Sequence, residues 1–346
     1  MKGKVQHANV ALFIPFNGCP HRCSFCDQQQ ITGRAYQPTA EDVKSAVKTA
    51  LISLKENSIH SEIAFFGGSF TAIDRDYMRT LLDATVPYIG RFKGIRISTR
   101  PDCIDGEVLE LLKAYHVTTI ELGAQSMDDT VLLANDRGHT AADVRRASEL
   151  IKAHGFDLGL QMMTGLYKST PDSDLQTAQE FILLQPSCVR IYPTIVMRGT
   201  RLGELYEQGV YQPQTLEEAV ALCARLIRLF EEKDARVRVI RVGLHDSESL
   251  KENRLAGPYH PAFKELCESR IMLDRAISLL RQRDAGKYTL RVSPQCRSKM
   301  TGNKKSNLLA LKERGYEIQI TEDDRLSYLE VKMSPPIKAV TDEVEA

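Results

Sequence analysis

Apolar segments alternate with segments of helical periodicity along most of the chain. Seven short runs are rich in apolar, β-branched or aromatic residues, as is typical of buried strands. These predicted strands cover residues 9–16, 62–66, 94–99, 118–122, 156–163, 188–194 and 237–242. The segments between them carry apolar residues every three or four positions. These predicted helices cover residues 39–57, 74–89, 105–116, 140–154, 171–184 and 216–233.

Several of the predicted helices begin or end at residues suited to that place. Thr39, Thr140 and Thr215 are each followed three positions later by an acidic residue, which is similar to a capping box. Gly155 directly follows the fourth predicted helix and favours its termination. Parallel strands joined by right-handed crossovers are expected when helices of this length separate them. The fold class is therefore α/β, either a doubly wound sheet or a full or partial (β/α) barrel.

The alternation ends near residue 243, and the pattern beyond it differs. Residues 244–259 have the composition of a loop, with a break at Gly257-Pro258. Further helices and strands are then predicted at 261–283, 288–293, 303–314, 316–321 and 326–333. We therefore predict a core domain at 1–245, a small α+β region at 246–335 and a disordered tail at 336–346.

Composition and charge are those of an ordinary globular protein. The 346 residues are 42% hydrophobic and carry a formal net charge of +1, which indicates neither nucleic acid nor membrane as a partner. No apolar run approaches the ~20 residues that span a bilayer. Residues 1–18 lack the features of a secretory signal, so we expect a cytoplasmic, reducing location in which disulfides are disfavoured.

Three of the eight cysteines lie close together directly after the first predicted strand. Cys19, Cys23 and Cys26 have the spacing C-x3-C-x2-C, so their thiolates can hold three corners of a 4Fe-4S cluster and leave one iron open. The alternatives to a cluster are a zinc site and a spacing that arose by chance. Zinc usually takes four ligands, but His21 is inside the loop and no second C-x2-C pair exists. Small buried hydrophobes are expected at the other five, Cys103, Cys188, Cys223, Cys267 and Cys296.

Polar or small residues lie at or just after the ends of the second, third and fourth predicted strands. They are Gly67, Gly68, Ser69, Arg100, Asp102, Glu121 and Gln125. In a parallel barrel the carboxyl ends of the strands carry the functional loops, so these residues share a face with the cysteines. Gly67-Gly68 allows close approach of backbone to a ligand, although a plain turn explains the pair equally. A local ion pair or a helix cap is the alternative for Arg100 and Asp102.

The cysteine spacing resembles the signature of the radical S-adenosylmethionine (SAM) enzymes. In that family the open iron binds the amino and carboxylate groups of SAM, and an electron from the cluster cleaves SAM to a 5′-deoxyadenosyl radical. The resemblance implies cluster ligation by Cys19, Cys23 and Cys26, with Phe25 beside the adenine.

The resemblance also suggests contacts for the rest of SAM. Gly67 and Gly68 match a motif that holds the SAM amino group, and Ser69 stands where glutamate is common. Candidates for the ribose and carboxylate are Arg100, Glu121 and Gln125. A reductant such as flavodoxin or ferredoxin is then expected as a partner.

A second resemblance covers about residues 8–245 and concerns the radical SAM domain of the Elongator catalytic subunit. It rests on 67–71 (GGSFT), 99–102 (TRPD), 121–126 (ELGAQS), 136–140 (DRGHT), 162–163 (MM) and 191–200 (IYPTIVMRGT). That family modifies the wobble uridine of tRNA with a radical SAM domain and an acetyltransferase domain. The resemblance implies a partial (β/α)6-type barrel, a 4Fe-4S cluster, SAM, and tRNA as a candidate substrate.

The resemblance to the Elongator subunit stops near residue 245. The residues that follow show no acetyl-CoA-binding glycine/arginine loop, so we expect the acetyltransferase part to be missing. The alternatives are a radical SAM enzyme for a small metabolite or a porphyrin, and a non-catalytic iron–sulfur module that binds RNA or a partner. The basic segment 297–307 is either a solvated surface or a phosphate contact. Tyr192 and Arg198 are candidates for the substrate side, and His139 is expected to be structural.

Overall fold

The structure of the chain is a computed structural model that describes residues 9–14, 19, 22–26, 36–234, 236–244 and 246–334. The predicted tail, His21 and the end of the first predicted strand beyond Ile14 lie outside these residues. The chain divides into a larger unit, Met1–Ala219 with Leu229–Pro261, and a smaller unit, Val220–Arg228 with Ala262–Ala346.

Seven parallel strands form the main sheet of the larger unit. In spatial order they are β1 (Asn9–Ile14), β2 (Glu62–Gly67), β3 (Gly94–Thr99), β4 (Val117–Gln125), β5 (Asp157–Thr164), β6 (Cys188–Pro193) and β8 (Arg238–Val242). A short strand β7 (Val196–Met197) lies outside this sheet. Within the described residues β1 and β8 each pair with one neighbour, so the barrel is open along one side. The predicted α/β partial barrel is confirmed.

Helices follow most of the strands of the main sheet. They are α1 (Ala40–Leu54), α2 (Arg75–Asp83), α3 (Gly106–Ala114), α4 (Asp129–Ala134), α5 (Ala141–Ala153), α6 (Pro171–Leu184), α7 (Arg201–Glu207) and α8 (Leu216–Lys233). Capping boxes are present at Thr39, Thr140 and Thr215, as predicted. Gly155 follows the end of α5 with φ +84°, which confirms it as the predicted terminator.

The two faces of each strand differ in character, because successive side chains point to opposite sides of a sheet. Along β6, Val189 and Ile191 are fully buried on one face. Arg190 and Tyr192 lie on the other face, which lines the interior of the barrel. The interior therefore includes polar side chains, and the face covered by the helices supplies the hydrophobic core.

The predicted loop at 244–259 is wrong in part. The segment contains the short helix α9 (Glu248–Asn253) and the strand β9 (Arg254–Ala256), which pairs antiparallel with β7. Helix α9 begins where the Ser247 hydroxyl accepts a hydrogen bond from the Leu250 N–H at 3.1 Å. One and a half turns are too short for a helical period to be visible in sequence.

The smaller unit contains a three-stranded sheet and its helices. Its elements are α10 (Phe263–Leu280), β10 (Gly286–Val292), α11 (Arg297–Thr301), α12 (Ser306–Lys312), β11 (Tyr316–Glu322) and β12 (Val331–Met333). Strand β10 is central, parallel to β11 and antiparallel to β12. The predicted last strand is thus reduced to its final three residues. Nowhere in the described ranges does a helix have the length and apolar character that crossing a bilayer requires.

Candidate functional site

A cavity of about 1150 Å³ lies inside the barrel of the larger unit. Residues proposed from the sequence make up a large part of its lining, namely Cys19, Cys23, Cys26, Phe25, Gly67, Gly68, Arg100 and Gln125. Two other proposed residues, Ser69 and Glu121, lie outside the lining and are almost completely buried. The structure therefore brings most of the proposed set into one space.

Long-range hydrogen bonds hold the cysteine segment in place. The Ser24 N–H donates to the Asn135 carbonyl at 3.1 Å, and the Ser24 hydroxyl donates to Asn135 Oδ1 at 2.8 Å. The Leu202 N–H donates to the Ser24 carbonyl at 2.7 Å. The residues between Cys23 and Cys26 are thus fixed against the end of α4 and the start of α7.

Two guanidinium groups approach the sulfur of Cys23. Arg137 donates from Nη1 to Cys23 Sγ at 3.0 Å, and Arg100 Nη1 lies 4.0 Å from the same sulfur. Arg137 is only 5% exposed and also donates from Nη2 to the Gly123 carbonyl. Burial raises the pKa of Cys19, as does Cys23, whereas Arg100 and Arg137 lower it. On balance the pKa of Cys19 is raised, mainly by burial, and the two arginines act against this rise.

The residues at this end of the cavity have the donor chemistry of an iron–sulfur site. Cys19, Cys23 and Cys26 border the same cavity and offer three thiolates, the ligands that usually hold such clusters. Within the described residues Arg137 Nε and Gln125 Oε1 are buried without a hydrogen-bond partner, so this region offers polar contacts to a bound group.

The Gly67-Gly68 pair lies where β1 and β2 approach closely. Gly67 has φ +111°, and a Cβ there would lie 2.7 Å from the Ile14 carbonyl oxygen. The Gly68 N–H donates to that same carbonyl at 2.8 Å. Packing against β1 is therefore sufficient to require glycine at position 67, and both glycines also border the cavity.

Ser69 and Arg100 are linked beneath the lining. The Ser69 hydroxyl lies 2.8 Å from Thr99 Oγ1 and accepts a hydrogen bond from the Arg100 N–H at 3.3 Å. The side chain of Arg100 forms a bidentate ion pair with Asp102 at 2.9 and 3.0 Å. The local ion pair considered from the sequence is thus present, and it aims the third guanidinium nitrogen at Cys23.

Glu121 belongs to a network of buried charges. Arg190 donates to both of its oxygens at 2.6 and 2.8 Å, Arg96 donates to Oε1 at 2.8 Å, and Gln161 donates to Oε2 at 2.7 Å. Arg96 also binds Glu62 at 2.7 and 2.9 Å. Burial alone would raise the pKa of Glu121, but Arg190 and Arg96 outweigh it and hold the pKa low. The contacts of Glu121 are therefore structural.

Gln125 and His139 differ in their relation to the cavity. Gln125 lines it with a backbone φ of +68°, an uncommon conformation for this residue type. His139 lies outside the lining, and its Nε2 is 3.1 Å from the Ala124 carbonyl, to which it donates. Burial and the neighbouring Arg137 lower the pKa of His139 to about 4, so its ring is neutral near pH 7.

The two remaining candidate regions have different surroundings. Tyr192 lines the cavity, whereas Arg198 is exposed and lies outside the lining. In the basic segment 297–307, Arg297 pairs with Glu322 and Lys299 pairs with Glu268, each at 3.4 Å. These ion pairs leave less positive charge on that segment than its sequence indicates.

Several polar residues of the cavity received no role from the sequence, namely Arg137, Gln161, Arg190 and Arg241. Arg137 lies within the motif 136–140, but its contact with Cys23 spans 114 positions of the chain. For Arg190 a signal was present, because polar side chains at positions 190 and 192 alternate with apolar ones along a predicted strand.

Two family models match adjoining parts of the chain. The model described as the radical SAM superfamily matches residues 13–181. The model described as the radical SAM C-terminal domain matches residues 186–272.

The matches to related proteins cover only part of each relative. An uncharacterised protein of Methanocaldococcus jannaschii is 30% identical over 58% of this chain and 65% of its own. A tRNA uridine(34) acetyltransferase of Dehalococcoides mccartyi is 26% identical over 56% of this chain and 50% of its own. Human Elongator complex protein 3 is 32% identical over 49% of this chain and 35% of its own. The chain thus spans less than two thirds of each of these relatives.

A solved structure has the same fold. Elp3 of Methanocaldococcus infernus, lacking its N-terminus, superimposes with a TM-score of 0.62 at 20% identity. The match covers 81% of this chain and 64% of that one.

Proposed function

Because the chain belongs to the radical SAM superfamily of enzymes, we propose that it binds SAM beside the three cysteines and cleaves it reductively. Family membership implies a 4Fe-4S cluster and SAM as cofactors. Such a cluster, when bound, supplies the electron that cleaves SAM to methionine and a 5′-deoxyadenosyl radical. The observation that carries the proposal is that Cys19, Cys23 and Cys26 line one cavity together with the glycine and polar strand ends expected to contact SAM.

The chain's own residues would hold the cluster and orient SAM. The three cysteines ligate the cluster as thiolates, and Arg137 fixes the Cys23 sulfur through its 3.0 Å hydrogen bond. The backbone of Gly67 and Gly68 is proposed to contact the SAM amino group. Their place in the cavity lining supports this assignment.

The adenosine part of SAM would meet Phe25 and Gln125, and the carboxylate of its methionine part would meet Arg100. Phe25 lies in the lining and is proposed to pack on the adenine, as the resemblance implies. Gln125 Oε1, a buried acceptor with no partner in the described residues, suits a ribose hydroxyl. Arg100 suits the SAM carboxylate, whereas the contacts of Ser69 and Glu121 argue against a direct role for either.

For the substrate, we propose tRNA carrying a wobble uridine. The support is the similarity to tRNA uridine(34) acetyltransferases over the radical SAM part of those proteins. A low-potential protein such as flavodoxin or ferredoxin is proposed as the reductant. The acetyl transfer of those relatives is not included in the proposal.

Anaerobic reconstitution tests the enzymatic part. The cluster-loaded protein is mixed with dithionite and SAM, and 5′-deoxyadenosine is measured by liquid chromatography. We expect the native protein to form it and Cys23→Ser to lose both cluster and product. Cys103→Ser, which changes a cysteine outside the cavity lining, should retain both. An intact cluster without 5′-deoxyadenosine in the native protein would contradict the proposal.

Nucleoside mass spectrometry tests the substrate. Bulk tRNA from a strain that lacks the gene is compared with tRNA from its parent and from a complemented strain. We expect one modified uridine to disappear in the deletion strain and to return on complementation. An unchanged nucleoside profile would reject tRNA and redirect the search to small metabolites.

A further inference from the structure

The cavity extends well beyond the residues proposed to contact SAM. Its volume of about 1150 Å³ exceeds the ~300–1,000 Å³ typical of a pocket for one drug-sized ligand. The residues proposed for SAM lie in the cysteine segment or close to the carboxyl ends of β2 to β4. Asn9 lines the same cavity from the first position of β1. Ile14, at the carboxyl end of β1, lies five positions further on, about 16 Å along an extended strand.

Three alternate residues of β1 border the cavity. They are Asn9, Ala11 and Phe13. The residues between them are buried on the opposite face, as the period of two along a strand requires. In the described part of the chain β1 pairs with one strand only, so these three residues lie beside the open side of the barrel.

The side-chain amide of Asn9 has an unused acceptor. Its Oδ1 is buried and accepts no hydrogen bond within the described residues. Leaving a buried acceptor without a donor costs free energy, which a bound N–H group recovers. Glu62 is the residue of β2 in register with Asn9, and an ionised carboxylate only accepts hydrogen bonds. Glu62 therefore offers no donor to Asn9, whereas a ligand in the cavity is in position to supply one.

Apolar side chains border the cavity beside this amide. Phe13 and Phe66 are paired in register on β1 and β2, and their ring centres are 6.2 Å apart. The Arg190 guanidinium lies over the Phe66 ring, with Cζ 5.0 Å from its centre. Ala11 and Ile240 are exposed residues of the lining and lie on the two edge strands of the sheet. A flat ring with a polar edge suits this lining, because its faces contact apolar groups and its edge meets the amide.

We propose that Asn9 determines substrate specificity by accepting a hydrogen bond from the ring N–H of a uracil base. This inference rests on the proposed function, since it names the part of the substrate that the cavity recognises. An asparagine amide carries an acceptor and an N–H₂ donor side by side. The N3–H of uracil and the carbonyl next to it form the complementary pair, and the apolar lining accommodates the faces of the ring.

A ligand that lacks only the N–H tests the proposal. Affinities for uridine and 3-methyluridine are measured by calorimetry on the cluster-loaded protein with SAM present. The methyl group at N3 replaces the donor and leaves a buried acceptor unpaired, so we expect uridine to bind at least about tenfold more tightly. Equal affinity for the two nucleosides, or no binding of uridine, overturns the proposal.

A second nucleoside controls for the bulk of the added methyl group. 5-Methyluridine keeps the N3–H and carries its methyl group elsewhere on the ring, so it should bind more tightly than 3-methyluridine. If 5-methyluridine binds as weakly as 3-methyluridine, the loss is due to bulk and the hydrogen bond to Asn9 is rejected.

Substitutions locate the effect on β1. Asn9→Ala removes the acceptor, so uridine and 3-methyluridine should bind this variant with affinities within about twofold of each other. Asn9→Asp keeps an acceptor of the same size and should retain a preference for uridine. Asn57→Ala is the matched control, because Asn57 is exposed and lies outside the lining. Circular dichroism confirms folding, and an undiminished preference for uridine in folded Asn9→Ala contradicts the proposal.

Binding and turnover are separate readouts. If uridine is preferred through Asn9 but no 5′-deoxyadenosine forms, the proposed function fails and the role of Asn9 stands. If 5′-deoxyadenosine forms and the N3–H makes no difference to affinity, the role of Asn9 is rejected and the proposed function stands.

Discussion

Two groups of buried charges in the barrel are satisfied to different degrees. Around Glu121, three carboxylate oxygens and two guanidiniums meet at 2.6–2.9 Å. Around Cys23, two guanidiniums meet a sulfur, and Arg137 Nε has no partner in the described residues. Burying a charge is costly unless it is paired and hydrogen-bonded. The charges of the first group are therefore compensated within the fold, whereas the second group has contacts to offer to a ligand.

The largest expected effect is a loss of stability when the group of charges around Glu121 is disrupted. Arg96→Met leaves Glu62 and Glu121 buried with fewer donors, so the free energy of unfolding should fall by about 3–5 kcal/mol. Urea denaturation followed by circular dichroism measures it. Arg145→Met, which breaks the exposed pair with Glu180, should cost less than about 1 kcal/mol. Similar losses in the two variants would erase the distinction between the buried network and a surface pair.

A second test compares two buried carboxylates. Glu121 has arginine partners, whereas Asp174 accepts the Gly165 N–H at 3.0 Å, and burial raises its pKa to about 7. A pKa raised by folding means that the native state binds the proton more tightly than the unfolded state. The stability contribution is therefore full below about pH 4 and is lost as the pH rises to about 7, by up to about 4 kcal/mol.

Asp174→Asn removes this titration and keeps an acceptor for Gly165. We expect the variant to be more stable than the native protein at pH 8 and nearly equal to it at pH 4.5. Urea denaturation at the two pH values measures the difference. A native protein whose stability is the same at both values, or a variant that is weaker at pH 8, would rule out a raised pKa at Asp174.

The smallest effect concerns the second group, and it is measured on the cluster. Arg137→Gln removes a positive charge and a hydrogen bond from Cys23, so the reduced, more negative cluster loses stabilisation and its potential falls. We expect at least a tenfold change in the ratio of oxidised to reduced cluster at fixed potential, about 59 mV for one electron. A redox titration followed by electron paramagnetic resonance measures it. Arg145→Gln should keep the native potential, and the same value in Arg137→Gln would remove Arg137 from this role.

The fold could be predicted to a large extent because its signals are local. The strands have apolar runs, and the helices have capping boxes at Thr39, Thr140 and Thr215 that the structure contains. The prediction of a loop at 244–259 was wrong in part, because α9 and β9 are too short to show a hydrophobic period. Their existence depends on the Ser247 cap and on pairing with β7.

Most residues of the site could be predicted from the sequence, but which of them reach the cavity could not. The cysteines and Gly67-Gly68 were expected to share a face, because the carboxyl ends of parallel strands meet at one edge. Glu121 and Gln125 belong to the same strand, yet one is buried in the charge network and the other lines the cavity. The register shift between Leu122 and Gln125 separates them, and a bulge of this kind has no signal in the sequence. The role of Arg137 could not be predicted, because its contact with Cys23 forms only in the folded chain.

The hydrogen bonds that fix Ser24 have a consequence for biosynthesis. The Ser24 carbonyl accepts its hydrogen bond from Leu202, so the cysteine segment is complete only after α7 has been made. At roughly 5–20 residues per second, a ribosome needs roughly 9–35 s to extend the chain from Cys26 to Leu202. If the three cysteines hold the cluster as proposed, their segment gains this last hydrogen bond only after the second half of the barrel has been synthesised. Slower synthesis would then lengthen the time before the cluster site is fixed.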